Sequence, residues 1–352
     1  MGAASRRSPR SRIPVVHQLR QSVGVQRGML VAGLVLTGAF VLVAILAPLI
    51  APYGFAQLRD ADGVAFGAQQ PPSAAHLLGT TVGGFDVLSR VIWGARTALT
   101  TIVIAVALSI VLGVMLGLVS GYIGGWIDRV LVVVADAVYA FPSLLLAIVA
   151  AIVISGGQSS LWGGVFAAAI AITVIYIPQY FRVVRAEAAR IKAEAFVDAA
   201  KVIGTRAPQI MTRHVLRNAT RTLPLIATLN AAEAISTLAA LGFLGFGIEQ
   251  TAAAEWGYDL NRSISDVTAG IWWTSIFPGT AIVLVILGIT LVGESLNDLA
   301  DPRLRTRRRA DAAAPPPADV AVAPGGAILD DTVASDTAAS GAVAGDAVEA
   351  GR

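Results

Sequence analysis

The stretch AEAFVDAAKVIGTRAPQIMTRHVLRN, Ala193 to Asn218, decides how the chain reads. It is a charged island between long apolar runs. Phe196, Ala200 and Ile203 recur at helical spacing on one face, and Glu194, Asp198 and Lys201 on another, which predicts a short amphipathic helix. Gly204 then predicts a stop, because glycine takes the left-handed backbone of a helix end most readily. A second helical piece, with Ile210, His214 and Arg217, follows Pro208. Two short helices about a glycine, set between membrane spans, are a shape another protein can grip. A plain basic loop that orients the chain in the bilayer is the competing reading of the same residues.

Composition supports the membrane setting. Of 352 residues, 55% are hydrophobic and only 14% charged, against about 25% charged in soluble chains. The charges are segregated, so long stretches carry none, as a bilayer demands. The pI near 9.5 and formal charge of +3 arise from arginines that flank apolar runs. That pattern points to membrane lipid and the positive-inside rule, with no nucleic acid as partner. Cysteine is absent, which excludes a disulfide framework and cysteine-based metal sites.

Outward from the central stretch, six apolar runs predict six transmembrane helices. Residues 1–28 form a basic arm with six arginines and no acid. The first span, Met29–Ala51, is longer than a signal-peptide core of about 7–15 residues. Residues 52–96 are a polar connection with turn signals at Pro52, Pro71, Pro72, Gly83 and Gly84. The second span falls within Thr97–Ser120. The third, Val130–Ile154, contains Asp136 and Pro142, and the fourth, Leu161–Phe181, contains Pro178. The fifth, Thr222–Gly247, contains Asn230 and Glu233. Residues 248–272 are acidic, and the sixth span lies within Ile276–Gly293. From about Ala310 onward the chain is Ala, Pro, Gly and Asp, too poor in large apolar residues to offset its ordering entropy, so disorder is expected. The organisation is thus a basic arm at 1–28, the first span with an external loop at 29–96, a membrane core at 97–299 and a tail at 300–352. Six crossings put both termini on one side. On that side the N-terminal arm, the 121–129 turn, the central stretch and residues 300–309 hold 21 lysines and arginines, against four on the other: Arg59, Arg90, Arg96 and Arg262. The imbalance assigns the central stretch and both termini to the cytoplasm.

Catalytic signatures are missing. The only lysines, Lys192 and Lys201, do not follow a glycine, so no phosphate-binding GxxxxGK[ST] loop exists. His17, His76 and His214 have no ligand spacing and read as ordinary interfacial residues. The chain is expected to be no enzyme and to hold no metal.

Four motifs in order carry a family resemblance. PPSAAHLLGTTVGGFDVLSRVIWGART is similar to a PPS..H.LGTD..GRDVLSR..YGAR segment. GYIGGWIDR with DAVYAFPSLLLAI follows. Asp198-Ala199-Ala200 and Gly204 resemble the EAA...G pattern of a coupling loop, and GFLGFG, Trp256-Gly257 and the terminal DPR complete the set. Over roughly residues 28–305, the chain resembles the permease subunit of bacterial ATP-binding-cassette importers, in the dipeptide, oligopeptide and nickel subgroup. It departs at Asp198 (usually Glu), Arg217 (usually Pro), Thr81 and Phe85 (usually Asp and Arg), and Glu255 (commonly Ser). The changes at Thr81 and Phe85 are expected to loosen an external contact between subunits.

The resemblance implies an all-α type I importer permease fold with six transmembrane helices and a cytoplasmic EAA coupling helix. It implies as partners a second homologous permease subunit, two ATP-binding subunits and an extracytoplasmic solute-binding protein that largely selects cargo. ATP would be bound by those partners, with no cofactor in this chain. Phe196, Asp198, Ala199, Ala200, Gly204 and Arg206 would form the coupling site, with Val197 and Ile203 adding to an apolar knob and Asp198 pairing with Arg206 at its rim. Asp136 and Glu233 lie within spans, where a charge costs a few kcal/mol. They are read either as pathway groups that meet a substrate ammonium or, preferentially, as polar packing contacts. Trp256, Trp272 and Trp273 are placed at the outer interface. Cargo remains open between peptides, nickel and another small solute, and an ion-coupled secondary transporter is the alternative class.

Overall fold

The computed structural model describes residues 25–155, 161–220 and 222–300. The basic arm to residue 24 and the tail beyond residue 300 lie outside them, as does the expected disorder of that tail. Among the described residues the fold is carried by helices: α1 (Val25–Ile50), α2 (Val87–Ile123), α3 (Gly125–Ala140), α4 (Ser143–Ser155), α5 (Leu161–Lys192), α6 (Ala195–Val202), α7 (Ala207–Ile210), α8 (Leu216–Ala219), α9 (Leu223–Phe243), α10 (Trp256–Arg262), α11 (Ile264–Thr268) and α12 (Trp273–Ala300). A π-helical turn, Met211–Val215, joins α7 to α8. Five helices are long and apolar enough to cross a bilayer. The pair α3 and α4 makes a sixth crossing when its two bent halves count as one span.

That pair stands where one span with Pro142 was expected, and it is bent at that proline. Its halves meet at 100°. Pro142 has no N–H to donate, and its ring pushes the preceding residue out of helical backbone. Phe141 accordingly ends α3 at φ −87 and ψ 139. The second span also begins earlier than expected, because Asp86 caps α2 by accepting the Ser89 N–H at 2.8 Å. The fourth continues past Phe181 to Lys192, which adds about 16 Å at 1.5 Å per residue. Its polar end therefore carries the 193–218 segment clear of the apolar layer.

Small residues set the central packing. Gly113, Gly117 and Gly121 repeat every four residues along α2, on the side that meets α5. A Cβ at these positions would lie 2.5 Å from Tyr180 Cβ, 2.7 Å from the Phe181 carbonyl and 2.4 Å from the Arg185 carbonyl. Only glycine permits this approach, the close contact expected of small residues at membrane helix interfaces. Likewise α1 meets α12 through Gly33 and Gly288.

On the side of the bilayer opposite α6, residues 51–86 and 248–272 fold onto the helix ends. Arg90 of α2 is buried and clasps Asp259 of α10, with Nε 2.8 Å from both carboxylate oxygens. Its guanidinium also donates to the carbonyls of Phe55 and Gln250. Trp256 is not at an outer interface as expected. It is 2% exposed, lies against Gly94 and donates to the Val91 carbonyl at 3.1 Å. Trp272 is half exposed, while Trp273 donates to the Thr80 carbonyl. His76 also differs from expectation: it is buried, 3.0 Å from Asp86. Thr81 and Phe85 are buried as well and bond each other within the cap, an internal role that the sequence pattern did not suggest.

Candidate functional site

The 193–218 segment is a seated base with a bare tip. In α6, Val197 and Ala200 are buried and join the apolar core that also holds Ile191, Ile210 and Val215. The opposite face presents Phe196, Asp198, Ala199, Val202 and Ile203 to solvent, with Val202 87% and Ile203 81% exposed. A helix of eight residues is marginal alone, so its order comes from that buried face. Gly204 ends it at φ +82. Thr205 N–H bonds the Ala200 carbonyl and Gly204 N–H the Lys201 carbonyl, both at 3.0 Å, which is the Schellman closure. A Cβ on Gly204 would meet nothing within 4 Å. Glycine is required there for backbone sign, and the space around it is open.

Two details correct the sequence reading. Ala200 does not share a face with Phe196 and Ile203; it points inward with Val197. Asp198 pairs with Lys201 one turn on at 2.8 Å, while Arg206 begins α7 as an exposed residue. The Asp198 carboxylate holds the Lys201 ammonium above its usual pKa. Beyond Pro208 the π turn changes the facing residues. One extra residue per turn puts Val215, rather than His214, on the buried side with Ile210. His214 is thereby exposed, its ring 6.2 Å from that of Phe196.

The two acids within spans are also exposed. Asp136 of α3 pairs with Arg182 of α5 at 2.6 Å, their side chains 57% and 50% exposed. The Arg182 guanidinium lies 4.2 Å from the centre of the Tyr139 ring. Glu233 of α9 is exposed, as is Ser236 three residues on. Arg182 and Tyr139 went unrecognised in the sequence. Tyr139 is three residues from Asp136, a helical-neighbour spacing, but nothing local pairs Asp136 with a residue 46 positions away. Asp136 thus makes a polar contact between α3 and α5 on an exposed face, and Glu233 is exposed as well.

At the end of the bundle opposite α6, Glu255 is buried. Its carboxylate accepts the N–H groups of Gly257 and Tyr258 at 2.8 and 2.7 Å and so caps α10. Burial pushes its pKa up to about 8 against the opposing pull of those two N–H groups; nearby Asp259 adds to the rise and Arg90 opposes it.

With this geometry in place, comparison with known proteins is decisive. Residues 109–306 match the family described as binding-protein-dependent transport system inner membrane component. The chain belongs to that family. It is 41% identical over 276 residues to the dipeptide transport system permease protein DppC of Escherichia coli, covering 78% of this chain and 89% of the relative. It is 35% identical over 276 residues to the DppC protein of Alkalihalophilus pseudofirmus, covering 78% and 86%. The glutathione transport system permease protein GsiD of Pectobacterium atrosepticum is 32% identical over 288 residues, covering 82% and 89%. The chain is therefore a multi-pass membrane component of an importer of the ATP-binding-cassette class, with the type I permease fold, and its family is a transport component.

Proposed function

We propose that this chain forms half of the translocation pore of an ATP-driven peptide importer. A second homologous permease subunit supplies the other half, two ATP-binding subunits supply energy, and an extracytoplasmic solute-binding protein delivers cargo. Both termini and the 193–218 segment lie in the cytoplasm, in keeping with the distribution of basic residues. The cargo assignment follows the names of the relatives, two of which are dipeptide permeases.

One observation carries the coupling role. Val202 and Ile203 are large apolar residues left almost bare at the tip of a helix whose other face is locked into the core. Such a tip fits a shallow apolar cleft on an ATPase subunit. Phe196 and Ala199 widen it, the Asp198–Lys201 pair and Arg206 form its polar rim, and Gly204 lets the partner come close. Because α6 follows α5 directly, closure of the ATPases against this tip pushes on a 32-residue rod that packs along α2. The test is reconstitution of the four kinds of subunit in proteoliposomes with labelled dipeptide. Uptake is expected only with ATP and the binding protein. Uptake by the isolated chain without ATP would refute the proposal and favour ion coupling.

A further inference from the structure

Resting on the peptide-importer reading, we infer that Arg182 and Glu233 are the two poles of a transit site that reads a peptide by its charged ends. The guanidinium takes the carboxylate and the Glu233 carboxylate takes the ammonium. The argument begins with cost. Asp136, Arg182 and Glu233 lie on helices that cross the bilayer, and all three are exposed on this chain. Ionisable groups inside spans face a water-filled cavity or another protein surface, because lipid does not solvate them. Tyr139 and Ser236 are exposed too, and α5 packs against both α3 and α9, so three packed helices leave polar groups open on this chain.

The charges are unequal. Arg182 has Asp136 at 2.6 Å, whereas Glu233 has no cation at ion-pairing distance among the described residues. The set therefore carries one uncompensated negative charge, which an arriving ammonium neutralises. Asp136 holds Arg182 in place in the empty site, and the carboxylate of a peptide competes for the same guanidinium. The Tyr139 ring lies 4.2 Å from the guanidinium, an apolar wall beside the Asp136–Arg182 pair. A dipeptide separates its end charges by roughly 7 Å at about 3.3–3.6 Å per residue, so one molecule can address groups on two neighbouring helices. Such a site ignores side chains, which suits a pore whose cargo has already been chosen outside the membrane.

The absence of cysteine from the chain makes a direct test possible. Ser236→Cys is placed in the complete reconstituted complex and treated with a charged, membrane-impermeant thiol reagent. Alanyl-alanine is added directly at millimolar concentration, which bypasses the binding protein. Uptake of labelled alanyl-alanine by the wild-type complex, with ATP and the binding protein present, is measured in parallel. The thiol is expected to react and to be protected by alanyl-alanine but not by its N-acetylated, C-amidated form. Arg182→Gln or Glu233→Gln should weaken protection about 10- to 100-fold, the range for losing a hydrogen bond to a charged group, and Arg182→Lys should restore part of it. An unreactive thiol means that position 236 is closed against lipid or the second permease, and overturns the inference. Equal protection by the capped peptide, or none by either, also overturns it. A complex that takes up alanyl-alanine yet shows no charge-selective protection refutes the transit site alone. A complex that takes up no peptide refutes the functional reading and this substrate together.

Discussion

The tip of α6 invites a substitution that leaves folding alone. Val202 and Ile203 are 87% and 81% exposed, and exposed substitutions usually change stability by no more than about 0.5 kcal/mol. Fully burying a valine or isoleucine is worth about 1.5–3 kcal/mol. If both enter a cleft on an ATPase subunit, Val202→Asp/Ile203→Asp removes about 3–6 kcal/mol of docking energy. At about 1.4 kcal/mol per factor of ten, affinity falls by roughly two to four powers of ten. The assay is co-purification of the ATPase subunits with the membrane complex, together with ATP-dependent dipeptide uptake in vesicles. Both should be lost while the level of membrane-inserted chain is unchanged. Val197→Asp is the contrast: that residue is 0% exposed, so it should lower the amount of folded chain itself. Ala200 is buried too, which makes Ala200→Arg a folding lesion and a poor probe of docking. Wild-type assembly and uptake by the double variant would refute the assignment of this face.

Other expectations concern the cap that residues 51–86 and 248–272 form on the helix ends. Arg90→Met leaves Asp259 buried without its partner, so stability should fall by about 3–5 kcal/mol. Adding Asp259→Asn should recover much of the loss, as thermal unfolding of purified chain would show; additive losses would contradict the pairing. Between pH 4.5, the ordinary glutamate value, and about 8 the folded chain holds a proton on Glu255, whereas the unfolded chain releases it. That contribution to stability is therefore complete below pH 4.5 and is lost as pH rises through 8. The melting temperature of wild type relative to Glu255→Gln should fall with rising pH across this window, and a rise would contradict the assignment. Gly257→Ala would place a Cβ 2.1 Å from the Ala239 carbonyl oxygen. Backbone has to move there, so a loss of about 1–3 kcal/mol is expected, against almost none for Gly38→Ala, where the space is open.

What could be read in advance followed physical range. Apolar runs with clean ends gave the crossings, because bilayer thickness acts on each run separately. Gly204 and the short helix before it were legible for the same reason: capping is decided within a few residues. The inward face of α6 was not, since Phe196, Ala200 and Ile203 satisfy helical spacing as well as Val197 and Ala200 do, and only the core behind them chooses. The π turn hid in the same way, swapping His214 for Val215 on the buried side. Pro142 was visible, but its effect depends on whether neighbours straighten the chain, and here it bends by 100°. Arg90 with Asp259, and Arg182 with Asp136, pair across 169 and 46 positions. No local pattern announces such partners, which is why one looked like a loop charge and the other like an orienting arginine.

The sidedness and engagement of the α6 tip form the most direct test. Ile203→Cys can be labelled with a membrane-impermeant maleimide in right-side-out and inside-out vesicles, with and without the ATPase subunits. Labelling is expected only in inside-out vesicles, and the ATPases should suppress it. Labelling from the outer face, or labelling unaffected by the ATPases, would contradict the proposal that this tip receives their work.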